Sequence, residues 1–221
     1  MTRTTYHHGD LKNTLIEAGI EILANEGVGG LSLRKVARKA GVSHAAPYAH
    51  FADKQALIAA IASDGHRRIH ERLEAVLANH SNDPLRLLTG SAWAYVSFGL
   101  EAPAHYKVTF SGTLENEHIH PEFVEFSQRN IQLLKNIVEQ CRAAGILQTE
   151  GMDSEMQAIS LWGQAHGLVS LIIQGQLPSG LLERAQPKDM LIAALRQVVR
   201  VPFDVEMFSF NKKPPHAQPH G

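Results

Sequence analysis

The sequence predicts an all-α protein of about nine helices: an N-terminal three-helix unit of helix-turn-helix type, then a larger helical domain. Three observations predict it. Apolar residues recur at steps of three and four through nearly every segment, the period of a half-buried helix. Capping and helix-breaking residues stand between those segments. Aromatic residues are only 6% of the chain, and short alternating runs bounded by turns are absent, which disfavours an all-β fold.

In the first helix Leu11, Leu15, Ala18 and Ile22 form one stripe. Asp10 can cap its free amides, Gly27 ends it, and Gly29-Gly30 makes a turn. Ser32 caps a second helix, Leu33 to about Lys39, with Leu33, Val36, Ala37 and Ala40 inward. Ala40-Gly41-Val42 is a tight turn. Ser43 then caps a third helix of about two turns, ending near His50, and Phe51-Ala52-Asp53 breaks it. A long fourth helix runs from Lys54 to His80 with the stripe Leu57, Ile61, Ile69, Leu73 and Leu77. Gly65 interrupts it at a cost of about 1 kcal/mol relative to Ala. Asp83 and Pro84, a cap followed by a first-turn proline, open the second domain. Helices are expected over 84–100, 103–113, 121–144, 153–175 and 186–201, with loops at 114–120 and 176–185. The domain boundaries follow: 1–54, a connecting helix at 55–80, 81–205, and a disordered, proline-bearing tail at 206–221.

Composition narrows the function classes. With 221 residues and 44% hydrophobic content, the chain can bury a sizeable core. One cysteine, Cys141, excludes an internal disulfide framework and a Cys-rich zinc site. No apolar run reaches the roughly 20 residues of a membrane helix, and Met1–Asp10 is polar. The expected compartment is the cytoplasm.

The net charge is −1, but it is unevenly spread. Residues 1–80 carry 10 Lys and Arg against 8 Asp and Glu, and residues 81–221 carry 11 against 14. Between Ser32 and Lys54 stand Arg34, Lys35, Arg38, Lys39 and Lys54 against Asp53 alone, a local +4. Screening makes local charge decisive for attracting phosphate. The same stretch has the form of a helix-turn-helix: two short helices, a small Ala37 at the crossing, Gly41 for positive φ, and Val42 between the helices. Outside are Arg34, Arg38, Lys39, Ser43, His44, Tyr48 and His50, all hydrogen-bond donors. Such residues read base edges and hold phosphates. Asp53-Lys54 adds a helix N-terminus and a lysine beside that surface.

Residues 9–57 resemble the DNA-binding domain of the TetR (AcrR-like) transcriptional regulators. The likeness runs through Leu31-Ser-Leu-Arg-Lys-Val-Ala37, Ala40-Gly-Val-Ser43, Tyr48-Ala-His-Phe51 and Asp53-Lys-Gln-Ala-Leu57. It implies a homodimer on a palindromic double-stranded operator, a C-terminal domain that senses a small molecule, and no enzyme activity. Carried over by motif, Arg34 and Ser43-His44-Ala45 face the bases, Tyr48 and Lys54 hold phosphates, and His50 either joins them or supports the helix. Two departures stand out. Pro47 lacks an N–H inside the recognition helix and predicts a bent or short one. Ala49 is small where related chains carry larger residues.

In the second domain Trp162, His166 and Gly167 resemble the Trp-His-Gly motif of one C-terminal type in this family. Pro103-Ala-His-Tyr106 and Phe110 fit the same subgroup. Gly163 and Gly167, inside a helix, suggest close approach of another helix or a ligand. Trp93, Tyr106, Phe110, Trp162 and His166 are expected to line a common cavity for a small, largely apolar or aromatic effector. Trp162 and His166 also fit plain core or interface positions. The last two helices, 153–175 and 186–201, have more apolar face than one core needs, with Leu191, Ile192, Leu195, Val198 and Val199 around most of the last, which suggests that both pack against a second subunit. Three rivals remain. The first is a metal- or haem-sensing regulator using His118, His120, His105 and His166, although no regular ligand spacing or cofactor motif is present. The second is an architectural DNA binder with no sensor. The third is a small enzyme, for which no nucleophile with a partner base is visible.

Overall fold

The computed structural model of the chain describes residues 8–149 and 151–203, with residues 8–10 described by backbone alone. The tail expected at 206–221 lies outside the described residues, and Asp10, expected at the start of the first helix, falls inside that helix, because it already begins at His8. Within them the regular structure is helical, and no helix is long and apolar enough to cross a membrane.

Helix α1 (His8–Gly30) buries Leu15, Ala18 and Ile22 as its stripe requires. Its regular run ends at Gly27, as expected. The backbone breaks there (φ 66°, ψ −173°) and then resumes for a last turn to Gly30, in place of the expected Gly29-Gly30 turn. Buried Leu31 anchors this extension, and its N–H closes on the Val28 carbonyl at 3.3 Å. Helix α2 (Leu33–Lys39) starts where Ser32 Oγ accepts from Lys35 N at 3.2 Å. Gly41 takes φ 69°, and Val42 N donates to Ala37 O at 3.0 Å.

The third element differs from expectation. Instead of a two-turn helix capped by Ser43, residues Ala46–Ala49 form a 3-10 turn with no side-chain cap. Its ladder is of the i to i+3 kind: Ala46 N to Ser43 O, Tyr48 N to Ala45 O and His50 N to Pro47 O, at 3.0–3.2 Å. Pro47, buried at the first turn, has no N–H to give to Ser43, so the wider α ladder cannot start.

Helix α3 (Lys54–His80) begins at Asp53, whose side chain accepts from Ala56 N at 2.8 Å. It buries Leu57, Ile61, Ile69 and Leu73 and half-buries Leu77. Gly65 is no simple interruption. A Cβ there would lie 1.9 Å from Thr109 Oγ1, so the glycine lets α5 lie against α3.

Helices α4 (Pro84–Glu101), α5 (Pro103–Thr109), α6 (Pro121–Ala143) and α7 (Ser154–Ile173) follow. Asp83 and Asp153 cap α4 and α7, accepting from Arg86 N at 3.0 Å and Met156 N at 2.7 Å. Helix α5 stops short of the expected 113, because Phe110 leaves helical geometry and Gly112 turns the chain at φ 64°. The 114–120 loop holds a 3-10 turn, Glu117–Ile119, and the 176–185 loop holds a one-turn helix, α8 (Leu181–Arg184), entered through Gly180 at φ 76°. Helix α9 (Pro187–Leu195) starts in a Gln186–Asp189 capping box and ends well before 201. Beyond it the chain runs extended against the α6–α7 link. Val199 pairs with Leu147, Gln148 N donates to Val198 O at 3.0 Å, and Arg200 N donates to Ile146 O at 2.8 Å. The described residues thus hold nine α-helices, but not the expected nine: the recognition element is a 3-10 turn and α8 is additional.

Two apolar cores result. One joins α1, α2 and the first half of α3 to Val108, Leu114 and Phe123. The other fills the space between the second half of α3 and α4 to α9. Leu191, Ile192 and Leu195 are 1–3% exposed, so the apolar girth of α9 is used inside this chain and leaves no surplus outer face. On α7 the exposed apolar residues are Met156, Ile159 and Leu171, and others stand singly at Tyr48, Ile119, Leu182 and Val201. Gly163 and Gly167 lie along the same helix, and nothing in the described chain comes within 4 Å of where their Cβ atoms would be.

Candidate nucleic-acid interface and effector cavity

On the helix-turn-helix surface Arg34, Arg38, Ser43, His44, Ala45 and Tyr48 are exposed, and His50 and Lys54 are half-buried. The basic residues divide into two sets. Lys35 pairs with Glu26 and Lys39 with Glu21, both acids of α1. Lys54 Nζ donates to the Val28 carbonyl, just past the Gly27 break. Arg34 and Arg38 pair with no acid among the described residues and extend into solvent. Tyr48, 55% exposed, is the largest apolar ring on this face. The His50 ring lies 6.2 Å from the buried Phe51 ring. The arrangement offers guanidinium, imidazole and hydroxyl donors from a convex turn, the chemistry that meets base edges and phosphates.

The second site is a cavity of about 130 Å³ among α3, α4, α6, α7 and α9, walled mostly by Leu, Ile, Phe110 and Trp162. Of the five residues expected to share it, Phe110 and Trp162 do. Tyr106 and His166 stand behind them, ring to ring with Phe110 at 4.9 and 5.3 Å. Trp93 is not brought to it: half-buried, it packs under Lys188 Nζ, 5.7 Å from its ring centre. Six polar wall residues were not among those expected: His66, Ser91, Tyr95, Ser127, Asn130 and Gln164. A signal for them existed, since each falls at a three- or four-residue step from apolar stripe positions of its helix.

Their environments differ. Tyr95 Oη meets Tyr106 Oη at 3.1 Å and His166 Nδ1 at 2.9 Å, and Tyr106 Oη lies 2.6 Å from the same Nδ1. Burial lowers the His166 pKa, which favours the neutral ring, with Nδ1 free to accept a tyrosine proton. Burial raises both tyrosines, Tyr106 to about 12, so they stay protonated donors. Asn130 is fully engaged, donating to His66 O at 2.9 Å and facing His70 Nδ1 at 3.0 Å. His66 touches Phe110 and Phe123 edge to face, at 5.2 Å each, and its ring nitrogens have no hydrogen-bond partner. Burial pushes its pKa down to about 4, so the ring is neutral. Ser91, 3% exposed, has a buried hydroxyl without a partner.

His66 also marks the junction between the two cores, because Phe123 belongs to the N-terminal one. Two residues either side, Asp64 accepts from Arg68 Nε at 2.7 Å, and Arg68 Nη2 donates to Glu17 of α1 at 2.7 Å. His105 Nε2 is 3.6 Å from Asp64 and 3.0 Å from the Ile61 carbonyl. The cavity wall and the DNA-facing unit therefore share one stretch of α3.

No group of three His, Cys, Asp or Glu among the described residues is placed to hold a metal ion, so His118, His120, His105 and His166 form no such cluster. Cys141 is buried, its thiol directed at Pro84 O at 3.1 Å and its pKa pushed up to about 12 by burial, which opposes a nucleophilic role.

Residues 15–61 match the family described as bacterial regulatory proteins, tetR family, and residues 88–199 match the Tetracyclin repressor-like, C-terminal domain. Over 99 residues the chain is 29% identical to an uncharacterized HTH-type transcriptional regulator, YobS, of Bacillus subtilis, covering 45% of this chain and 51% of that protein. Over 50 residues it is 46% identical to the tetracycline repressor protein class A from transposon 1721 of Escherichia coli, 23% of each. The matched part thus spans about half the first relative and under a quarter of the second. A structure of a protein of unknown function from Rhodococcus sp. RHA1 is similar at 31% identity and TM-score 0.70, over 88% of this chain and 96% of that one. The fatty acid degradation regulator FadR from Bacillus halodurans shares the fold at 15% identity and TM-score 0.68, over 86% and 94%.

Proposed function

The chain belongs to the TetR family of bacterial regulatory proteins, and from that premise we propose that it is a homodimeric, DNA-binding transcriptional repressor, released from a palindromic operator when a small apolar molecule fills the C-terminal cavity. The observation that carries the DNA half is the division of the basic residues: α1 acids hold Lys35 and Lys39, while Arg34 and Arg38 extend into solvent beside Ser43, His44 and Tyr48. In this reading Arg34 and Ser43-His44-Ala45 meet base edges. Tyr48 and Lys54 meet phosphates, and His50 steadies the turn from its place beside Phe51. The exposed stripe of α7, with Met156, Ile159 and Leu171 around two glycines, packs against the same stripe of a second copy. Membership of the Trp-His-Gly subgroup is part of this reading, supported by Trp162, His166 and Gly167 with Tyr106 and Phe110 packed against His166.

Release follows from the shared stretch of α3. An effector against His66 favours one placement of that helix, and Arg68 passes the choice to Glu17 of α1. The effector acts only through its preference between two states. Selection of genomic DNA fragments bound by the protein tests the reading. Enriched sites should share a palindrome, and Arg34→Ala or His44→Ala should cost about 1–3 kcal/mol there and relax one base position per half-site. Fragments bound without sequence preference would overturn it.

A further inference from the structure

The polar wall of the cavity constrains what can fill it. No Lys, Arg, Asp or Glu lines the volume, so an ionised ligand would enter unpaired. At about 130 Å³ the space is close to one that admits benzene, about 150 Å³, and is too small for an extended acyl chain. Three of the six polar residues on the wall are already satisfied. Asn130 is held by His66 O and His70, Tyr95 by Tyr106 and His166, and Ser127 Oγ by Val124 O at 3.0 Å. Among the described residues three make no such bond: the buried Ser91 hydroxyl, the His66 ring and the half-buried Gln164 amide. An unpaired hydroxyl in an apolar interior is unfavourable in the free protein and becomes useful only when something fills the cavity.

We infer that this cavity takes an uncharged single-ring molecule carrying one hydroxyl group, of the phenol type, with that hydroxyl set between Ser91 and His66. The inference rests on the reading of the cavity as the effector site. A neutral imidazole keeps one nitrogen lone pair that only a donor can use, and the Ser91 O–H needs an acceptor. A single hydroxyl supplies both: its proton goes to the His66 nitrogen, and its oxygen accepts from Ser91 Oγ. A carboxylate can only accept, and a hydrocarbon offers nothing. The aromatic walls, Phe110 and Trp162, suit a ring.

The test uses the full chain and three ligands, phenol, benzene and benzoate, titrated calorimetrically at pH 7.5 into the wild type and Ser91→Ala. Phenol should bind about tenfold tighter than benzene, the worth of the added hydrogen bonds, and benzoate should not bind. Ser91→Ala should lower phenol affinity about threefold, since His66 still accepts the phenol proton, and leave benzene affinity unchanged. Because the lost hydroxyl has no partner, the thermal midpoint should stay the same or rise. Equal affinity for phenol and benzene, tighter binding of benzoate, indifference of phenol to Ser91→Ala, or no heat from any of the three would each overturn the inference. Release of bound operator fragments is scored separately. Ser91-dependent phenol binding that leaves DNA bound would uphold the ligand class and overturn the effector role.

Discussion

The two halves of this molecule handle their polar side chains in opposite ways. The N-terminal unit turns Arg34, Arg38, Ser43, His44 and Tyr48 outward from a small apolar core. The C-terminal domain turns Ser91, Tyr95, Tyr106, Asn130 and His166 inward, beside His66 from the shared helix. A surface meant for a polyanion needs solvated donors at little cost to stability. A pocket for a small molecule needs a few buried groups in an apolar wall, each matched by a partner or left for the ligand. The difference teaches where each half is vulnerable: the first to loss of contacts, the second to loss of packing and to charge.

The sharpest way to break the comparison is to add charge at two apolar positions of the C-terminal domain. Leu195 is 3% exposed, so Leu195→Asp buries an unpaired carboxylate and should destabilise the chain by about 3–5 kcal/mol, seen as loss of the cooperative urea transition. Ile159, 45% exposed on α7, should accept Asp with its fold intact while sedimentation shifts from dimer to monomer. If Leu195→Asp gives a folded monomer instead, α9 rather than α7 carries the subunit contact.

Acid should act on the hidden groups. The pKa of His66 falls from 6.5 to about 4 on folding, so the unfolded chain binds the extra proton. Its contribution to stability is therefore complete above pH 6.5 and is lost as pH falls towards 4, about 2 kcal/mol by pH 5. His105 and His166 are lowered by burial too and act in the same direction. Urea midpoints at pH 7.5 and 5.0 should differ less in His66→Asn than in the wild type. An equal difference would place the acid sensitivity elsewhere.

Much of the fold was legible because caps and turns act over short distances. Ser32, Asp53 and Asp83 each start the helix their position announces. Two endings were not. Helix α5 stops at Phe110 because its ring packs into the aromatic cluster, and α9 stops at Leu195 because residues 198–200 find a partner in 146–148. Pro47 announced a short recognition element, but its i to i+3 ladder needed coordinates. In the cavity the aromatic residues drew attention by type, whereas Ser91 and His66 matter through the absence of partners, which only three-dimensional packing reveals.

Glycines sharpen this point further. Gly65→Ala should destabilise by about 1–3 kcal/mol despite the better helix propensity of alanine, because the new Cβ meets Thr109. Thr109→Ala should restore part of the loss. Gly163→Ala meets open space within the chain, so it should raise monomer stability by up to about 1 kcal/mol while weakening dimerisation. If the dimer is unaffected, the α7 stripe is not the seam.

The smallest expected effect returns to the DNA face. Each phosphate neutralised contributes about 0.9 to the slope of log affinity against log salt. Arg38→Ala removes a cation that no acid holds, so it should flatten the slope by about one and weaken all sequences alike. Lys35→Ala removes a cation already committed to Glu26 and should leave the slope nearly unchanged. Lys54 decides between two roles, because its ammonium sits at the Val28 carbonyl in the free chain. If it turns to a phosphate on binding, Lys54→Ala should flatten the slope as Arg38→Ala does. If its task is to hold the end of α1 beside the Gly27 break, Lys54→Ala should lower the urea midpoint and leave the slope alone. The slope is the better discriminator, since lost fold lowers affinity at every salt concentration without changing how many counterions binding releases.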